Sequence, residues 1–172
     1  MHLEGTRCTS VEGNAEYIYR GGIPMLKKIL IGVDGSGQSE KALDYAVGLA
    51  KMCGGEIIMI HVAPLPIINM LAYNPSMITP QIMPEQVEKA LEDQGNDILD
   101  KLAEKYKDSG VKITPRMEIG HPGPVICGIA DEIKPDLVVV GSRGLGELKG
   151  LLLGSVSNFI VHTCKGPILI VK

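Results

Sequence analysis

The chain has no tryptophan and a single phenylalanine among its 172 residues. That leaves few aromatic faces for stacking nucleobases, and a formal charge of −3 with no basic cluster gives a nucleic-acid backbone no surface to bind. No apolar run reaches the roughly 18 residues of a membrane span, and residues 1–25 are polar and glycine-rich, without a signal-peptide core. A cytoplasmic protein with neither nucleic acid nor membrane as partner is the expectation. The four cysteines, Cys8, Cys53, Cys127 and Cys164, include no C-x-x-C pair. They are expected to be small core residues in a reducing compartment, not metal ligands or half-cystines.

The chain is rich in aliphatic residues, set in short runs between helical patterns. Its length suits one core and is short for two ordinary domains. Residues 1–24 carry neither a helical nor a strand period and read as an irregular extension; 25–172 reads as a single domain. Lys28 to Val33 reads as strand one, stopped by Asp34-Gly35-Ser36. A helix from about Ser39 to Cys53 turns Ala42, Ala46, Leu49 and Ala50 inward and ends at Gly54-Gly55. Glu56 to Val62 reads as strand two. Glu85 to Ser109 reads as a charged helix with an apolar stripe through Val87, Leu91, Ile98, Leu102 and Tyr106. Val111 to Ile119 is strand three, and His121-Pro122 opens a third helix that runs to about Ile133. Strand four begins at Leu137, a fourth helix covers Ser155 to Thr163, and Ile168 to Val171 is strand five. Between Ala63 and Pro84 the chain is proline-rich, apolar and uncharged. Such a loop reads as a lid over a pocket, a partner contact, or a mobile surface segment.

Strands alternating with helices predict a doubly wound α/β fold: a five-stranded parallel sheet, order 3-2-1-4-5, with right-handed crossovers and helices on both faces. In that order strands one and four are neighbours, and the chain winds outward from them in opposite directions. A crevice then lies at their carboxyl ends. The Asp34-Gly35-Ser36 turn and the segment from Gly141 to Gly144 both fall there.

The segment from Asp136 to Asn158, DLVVVGSRGLGELKGLLLGSVSN, carries the chemistry. An apolar strand passes into a glycine-punctuated loop and then into a helix start, which is how backbone amides are gathered for a phosphate. Ser155 is expected to be the N-cap, leaving the amides of Val156, Ser157 and Asn158 without helical partners. No Gly-Lys-Ser/Thr follows, so this is not a Walker A loop, and Lys149 stands where a dinucleotide fingerprint needs its third glycine. An ordinary strand–helix connection with flexible glycines is the plainer alternative. Asp34 has two readings: it takes ribose hydroxyls or faces Mg²⁺, or it is a turn residue accepting the amides of Gly35 and Ser36. Arg143 either screens phosphate charge or is a solvated loop arginine. His61 and His121 read as structural, and Met52, Met59 and Met117 as core filler.

The spacing Gly141-x2-Gly144-x9-Gly154-Ser155 resembles the nucleotide-binding loop of the universal stress protein family. Val33-Asp34-Gly35-Ser36, His61-Val62, Gly120-x-Pro122 and the C-terminal run from Gly166 to Val171 match the same family in order. The resemblance implies a Rossmann-like, adenine nucleotide alpha hydrolase-like fold and binding of ATP or another adenine nucleotide, with or without Mg²⁺ or Mn²⁺ held by the phosphates. By matching position it puts Gly32, Val33 and Asp34 beside adenine and ribose, and Val62 on the adenine. Val140 and Gly141 fall on the ribose and phosphate side, with Gly144, Gly154, Ser155, Val156 and Ser157 around the phosphates. It also implies a homodimer, and a short aliphatic strand 168–171 at a sheet edge is a suitable interface. No catalytic residue and no protein-held metal is assigned. The expected role is a nucleotide-binding stress-response or regulatory protein with little or no catalysis. A slow ATPase or nucleotidyl-transfer enzyme, and a dimeric interaction module with an empty pocket, are the alternatives.

Overall fold

The computed structural model describes residues 26–64, 85–146 and 152–172. Five strands, β1 (Lys28–Gly32), β2 (Glu56–Ala63), β3 (Ile113–Ile119), β4 (Leu137–Gly141) and β5 (Ile168–Val171), form one parallel sheet in the order β3-β2-β1-β4-β5. Four helices connect them: α1 (Gly37–Cys53), α2 (Glu85–Lys105), α3 (Pro122–Ile133) and α4 (Ser155–Thr163).

The central strands carry unbroken apolar runs, Ile29 to Ile31, Ile57 to Ile60 and Leu137 to Val140, because both of their faces are covered. Ile29, Ile31, Ile57, Met59, Leu137 and Val139 point to one side, where α1 contributes Ala42, Leu43, Ala46, Val47 and Ala50 and α2 contributes Leu99 and Leu102. Leu30, Ile60, Val62, Val138 and Val140 point to the other, against Ile126, Ile129 and Ala130 of α3 and Ile160 of α4. The period of two in the strands thus divides the helices into two layers.

Several boundaries differ from those read in the sequence. α1 starts at Gly37, because Ser36 is its N-cap and takes the amide of Ser39 on its hydroxyl at 3.2 Å. α2 stops at Lys105; a 3₁₀ turn, Lys107–Ser109, and Gly110 in the left-handed region follow it, and β3 begins only at Ile113. The buried side chain on α2 that the apolar stripe omits is Leu99. The extension 1–24, residues 65–84 of the 63–84 loop read as a lid, a partner contact or a mobile segment, and Lys149 lie outside the described residues.

The cysteine reading needs a larger correction. Cys127 and Cys164 form a disulfide, with Cα atoms 4.9 Å apart. The partners lie 37 positions apart, and only the packing of α3 on α4 brings them together, so spacing along the chain could not disclose the pair. Cys53 is a free thiol, and Cys8 lies outside the described residues.

Candidate functional site

β1 and β4 lie side by side, with Gly32 level with Val140. From β1 the chain crosses to β2 and from β4 to β5, in opposite directions across the sheet. The pocket opens where the two connections part, as expected at a topological switch point. Its walls are the ends of β1, β2 and β4, the first turn of α3, the loop Arg143 to Gly146, and the N-terminus of α4.

Asp34 follows β1 directly. Its Oδ1 accepts the amide of Ser36 at 3.0 Å and its Oδ2 accepts the amide of Leu145, in the glycine loop, at 3.0 Å. The Asp34 amide in turn donates to the Ser39 hydroxyl at 3.3 Å. Burial pushes the carboxyl pKa up, but hydrogen bonds from Ser36, Ser39 and Leu145 outweigh it and hold the group below its ordinary value. Gly144 is what lets the loop come this close. A Cβ there would lie 2.2 Å from Asp34 Oδ2, well inside contact distance.

Ser142, buried at 1% exposure, is the joint of the loop. Its amide donates to Val171 O at 2.7 Å, and its carbonyl accepts both the Gly154 amide and the Ser157 hydroxyl at 2.8 Å. The Ser157 hydroxyl also lies 3.0 Å from Gly154 O, so its one proton is engaged within the protein. Gly154, not Ser155, is the N-cap of α4 and makes no side-chain capping bond. The Asn158 amide already bonds to Gly154 O at 2.9 Å. The amides without a helical partner are therefore those of Ser155, Val156 and Ser157, one position earlier than expected. All three residues line the pocket, and Ser155 is exposed. The positive end of the helix dipole adds to their attraction for an anion.

The other half of the pocket is apolar. Val33, Ile60, Val62, Ile126 and Val140 surround a slot with Gly32 at its base. A Cβ on Gly32 would come within 3.0 Å of Ile126 Cδ1, so the missing side chain makes room for the isoleucine. His61 closes the slot at 7% exposure, with Nδ1 2.9 Å from Val33 O. A carbonyl only accepts, so the proton sits on Nδ1 and the ring ties β2 to β1. His121 is the exposed N-cap of α3 and makes no side-chain cap.

Gly32, Val33, Asp34, Val62, Val140, Gly141, Arg143, Gly144, Gly154, Ser155, Val156 and Ser157, the residues named from sequence, all line this one pocket. Pro122, Ile126, Ser39 and Leu145 line it as well and were not foreseen. Only the Gly120-x-Pro122 element hinted at α3. Among the described residues no three His, Cys, Asp or Glu side chains gather as a metal site, and no helix is long and apolar enough to cross a membrane.

The sequence matches the model of the universal stress protein family over residues 25–172. The chain is 34% identical to universal stress protein YxiE of Bacillus subtilis over 148 residues, covering 86% of this chain and 100% of that protein. The solved structure of hypothetical protein MJ0577 superposes with a TM-score of 0.70 at 28% identity, over 86% of this chain and 96% of that one. A universal stress protein solved in complex with cAMP superposes with a TM-score of 0.63 at 26% identity, over 86% and 98% of the two chains. The chain belongs to the universal stress protein family.

Proposed function

We propose that the chain binds an adenine nucleotide, ATP or a close relative, in the pocket between β1 and β4, and turns it over slowly or not at all. The observation that carries this is the pairing of two unlike halves in one cleft. Three amides without helical partners stand at the N-terminus of α4, opposite an aliphatic slot formed by Ile60, Val62, Ile126 and Val140. An anionic group and a flat apolar ring system joined by a short polar linker meet both demands. The likeness to a relative solved with cAMP supports the same ligand class.

Binding without efficient turnover follows from Asp34. It is the one carboxylate among the described residues lining the pocket, and each of its oxygens holds a backbone amide. It therefore shapes the loop, keeps acceptor capacity for a ribose hydroxyl, and is a weak base, held below its ordinary pKa by these bonds. A divalent ion accompanying ATP would be held by the phosphates and by water, since the described residues offer no ligand cluster.

The reading includes a homodimer in which β5, a sheet edge with Ile168, Leu169 and Ile170 half-buried, meets its copy. A cytoplasmic stress-response or regulatory role belongs to it too. The primary test is to denature the purified protein, identify released small molecules by mass spectrometry, and measure the melting temperature with and without ATP. An adenine nucleotide in the supernatant or a rise in melting temperature is expected; the absence of both would sink the proposal. ATP turnover of many per minute with Mg²⁺ would replace it with an enzymatic one. Sedimentation as a monomer at micromolar concentration would remove the dimer.

A further inference from the structure

Cys127 and Cys164 join α3 to the end of α4 behind the pocket, and nucleotide binding as described makes no use of them. Cys127 is mid-helix in α3 and 6% exposed. It adjoins Ile126, whose side chain is part of the apolar wall. Cys164 is the C-cap of α4, the helix whose opposite end presents the free amides, and it is half-buried. The two helices also meet in the core, where Ile160 of α4 joins Ile126, Ile129 and Ala130 of α3 in one buried cluster, and at two further contacts. Phe159 packs on Gly123 so closely that a Cβ there would lie 2.7 Å from the ring. Lys165 Nζ lies 3.6 Å from Asp131 Oδ2, but both side chains are largely exposed, and such an ion pair is weak. Among the described residues the disulfide is the one covalent cross-link between α3, which carries Ile126 of the apolar slot, and α4.

We propose that Cys127 and Cys164 are a reversible thiol–disulfide switch that fixes the placement of α4 and thereby the nucleotide affinity of the pocket. The affinity half rests on the nucleotide reading; the placement half does not. In the reducing direction a small-molecule thiolate attacks Cys164 Sγ, the more accessible sulfur. The S–S bond breaks, its electron pair goes to Cys127 Sγ, and that sulfur takes up a proton. A second small thiol then displaces Cys164, leaving two protein thiols and one small-molecule disulfide. Oxidation is the reverse, with a low-molecular-weight disulfide such as glutathione disulfide as oxidant. With the bond in place α4 cannot pivot away from α3, and its first amides stay aimed at the cleft. With the bond open, α4 is held by non-covalent contacts alone, the Phe159–Gly123 packing, the buried Ile160 and the bonds from Gly154 and Ser157 to Ser142 O, and the helix gains freedom to shift against α3. By linkage, a ligand that prefers the bonded arrangement makes the disulfide harder to reduce.

The full-length protein is equilibrated in oxidised and in reduced glutathione buffers. Alkylation with mass spectrometry reports the thiols, amide hydrogen exchange reports α4, and a fluorescent ATP analogue reports affinity. Reduction is expected to expose Cys127 and Cys164 to alkylation, speed exchange at Ser155 to Asn158 more than in β1 and β4, and weaken the analogue several-fold. Cys164→Ser should behave as the reduced protein in both buffers. Because the wild type itself is compared in two states, a variant that folds poorly does not spoil the test. Alkylation of both cysteines in the oxidised buffer, unchanged exchange in α4, or equal affinity in two states that both bind would each overturn the switch. Changed exchange with no nucleotide bound in either state would leave the placement half standing and remove the nucleotide reading.

Discussion

Asp34 holds the amide of Leu145, 111 positions further along the chain, on its Oδ2 at 3.0 Å. The turn after β1 and the loop after β4 are therefore one structure, joined by a carboxylate that takes one amide on each oxygen. The expected turn role for Asp34 named the amides of Gly35 and Ser36; the amides it takes are those of Ser36 and Leu145. Removing the carboxylate should loosen the glycine loop even where no ligand touches it.

The first prediction concerns pH. Folded Asp34 has a pKa below its ordinary value, so its contribution to stability is complete above about pH 4 and is lost as pH falls through the lower folded value. Asp34→Asn should lower the unfolding free energy at pH 7 by about 1–2 kcal/mol, and the gap to wild type should narrow in acid. Urea midpoints of both proteins at pH 7 and pH 3 check this; a gap of the same size at both would rule out the carboxylate charge as the cause.

Gly144→Ala should act through the same contact. The new methyl group would occupy the space of Asp34 Oδ2, and either the carboxylate or the loop must move. Loss of one charge-assisted bond corresponds to roughly tenfold weaker ATP binding, with strands and helices intact by circular dichroism. Isothermal titration beside wild type measures it, and unchanged affinity would show that the Asp34–Leu145 link does not shape the site.

Two serines two positions apart in the first turn of α4 should separate ligand contact from scaffold. The Ser157 hydroxyl is buried and bonded to Ser142 O and Gly154 O, so Ser157→Ala should cost about 1 kcal/mol of stability. Ser155 is exposed, and Ser155→Ala should change stability by less than about 0.5 kcal/mol while weakening ATP binding. Thermal melts without ligand and titrations with ATP distinguish the two. A Ser155→Ala protein with wild-type affinity would remove that hydroxyl from the site.

Opening the disulfide should have a cost independent of any ligand. The bond closes a loop between positions 37 apart, and a loop of that size stabilises by about 2–4 kcal/mol. Urea unfolding with and without reductant, in a Cys8→Ser, Cys53→Ser background so that only the paired cysteines change, measures the difference. Coincident curves would mean the bond is not formed in solution.

Much of this was legible beforehand. Ile29, Leu30 and Ile31 read as a strand because only a sheet covered on both faces has use for three consecutive aliphatic residues. Alternation of elements pointed to a parallel sheet, for which 3-2-1-4-5 is the commonest five-strand order and the one observed, and the glycine spacing marked the loop. What stayed hidden depended on contacts between distant segments. Ile126 looks like any helical core residue until α3 is laid against Gly32. The amide of Leu145 has no signature in the sequence, and neither has the carbonyl of Ser142. The N-cap of α4 fell one residue from its expected place because glycine and serine are both acceptable there, and chain direction at the loop exit decides between them. Cys127 and Cys164 share no local pattern at all.

The Val171 carbonyl, one residue from the C-terminal lysine, accepts the amide of Ser142 at 2.7 Å, and Ser142 in turn fixes Gly154 and Ser157. A substitution that displaces Val171 from the sheet edge would thus be felt at Ser142 and, through it, at the first turn of α4.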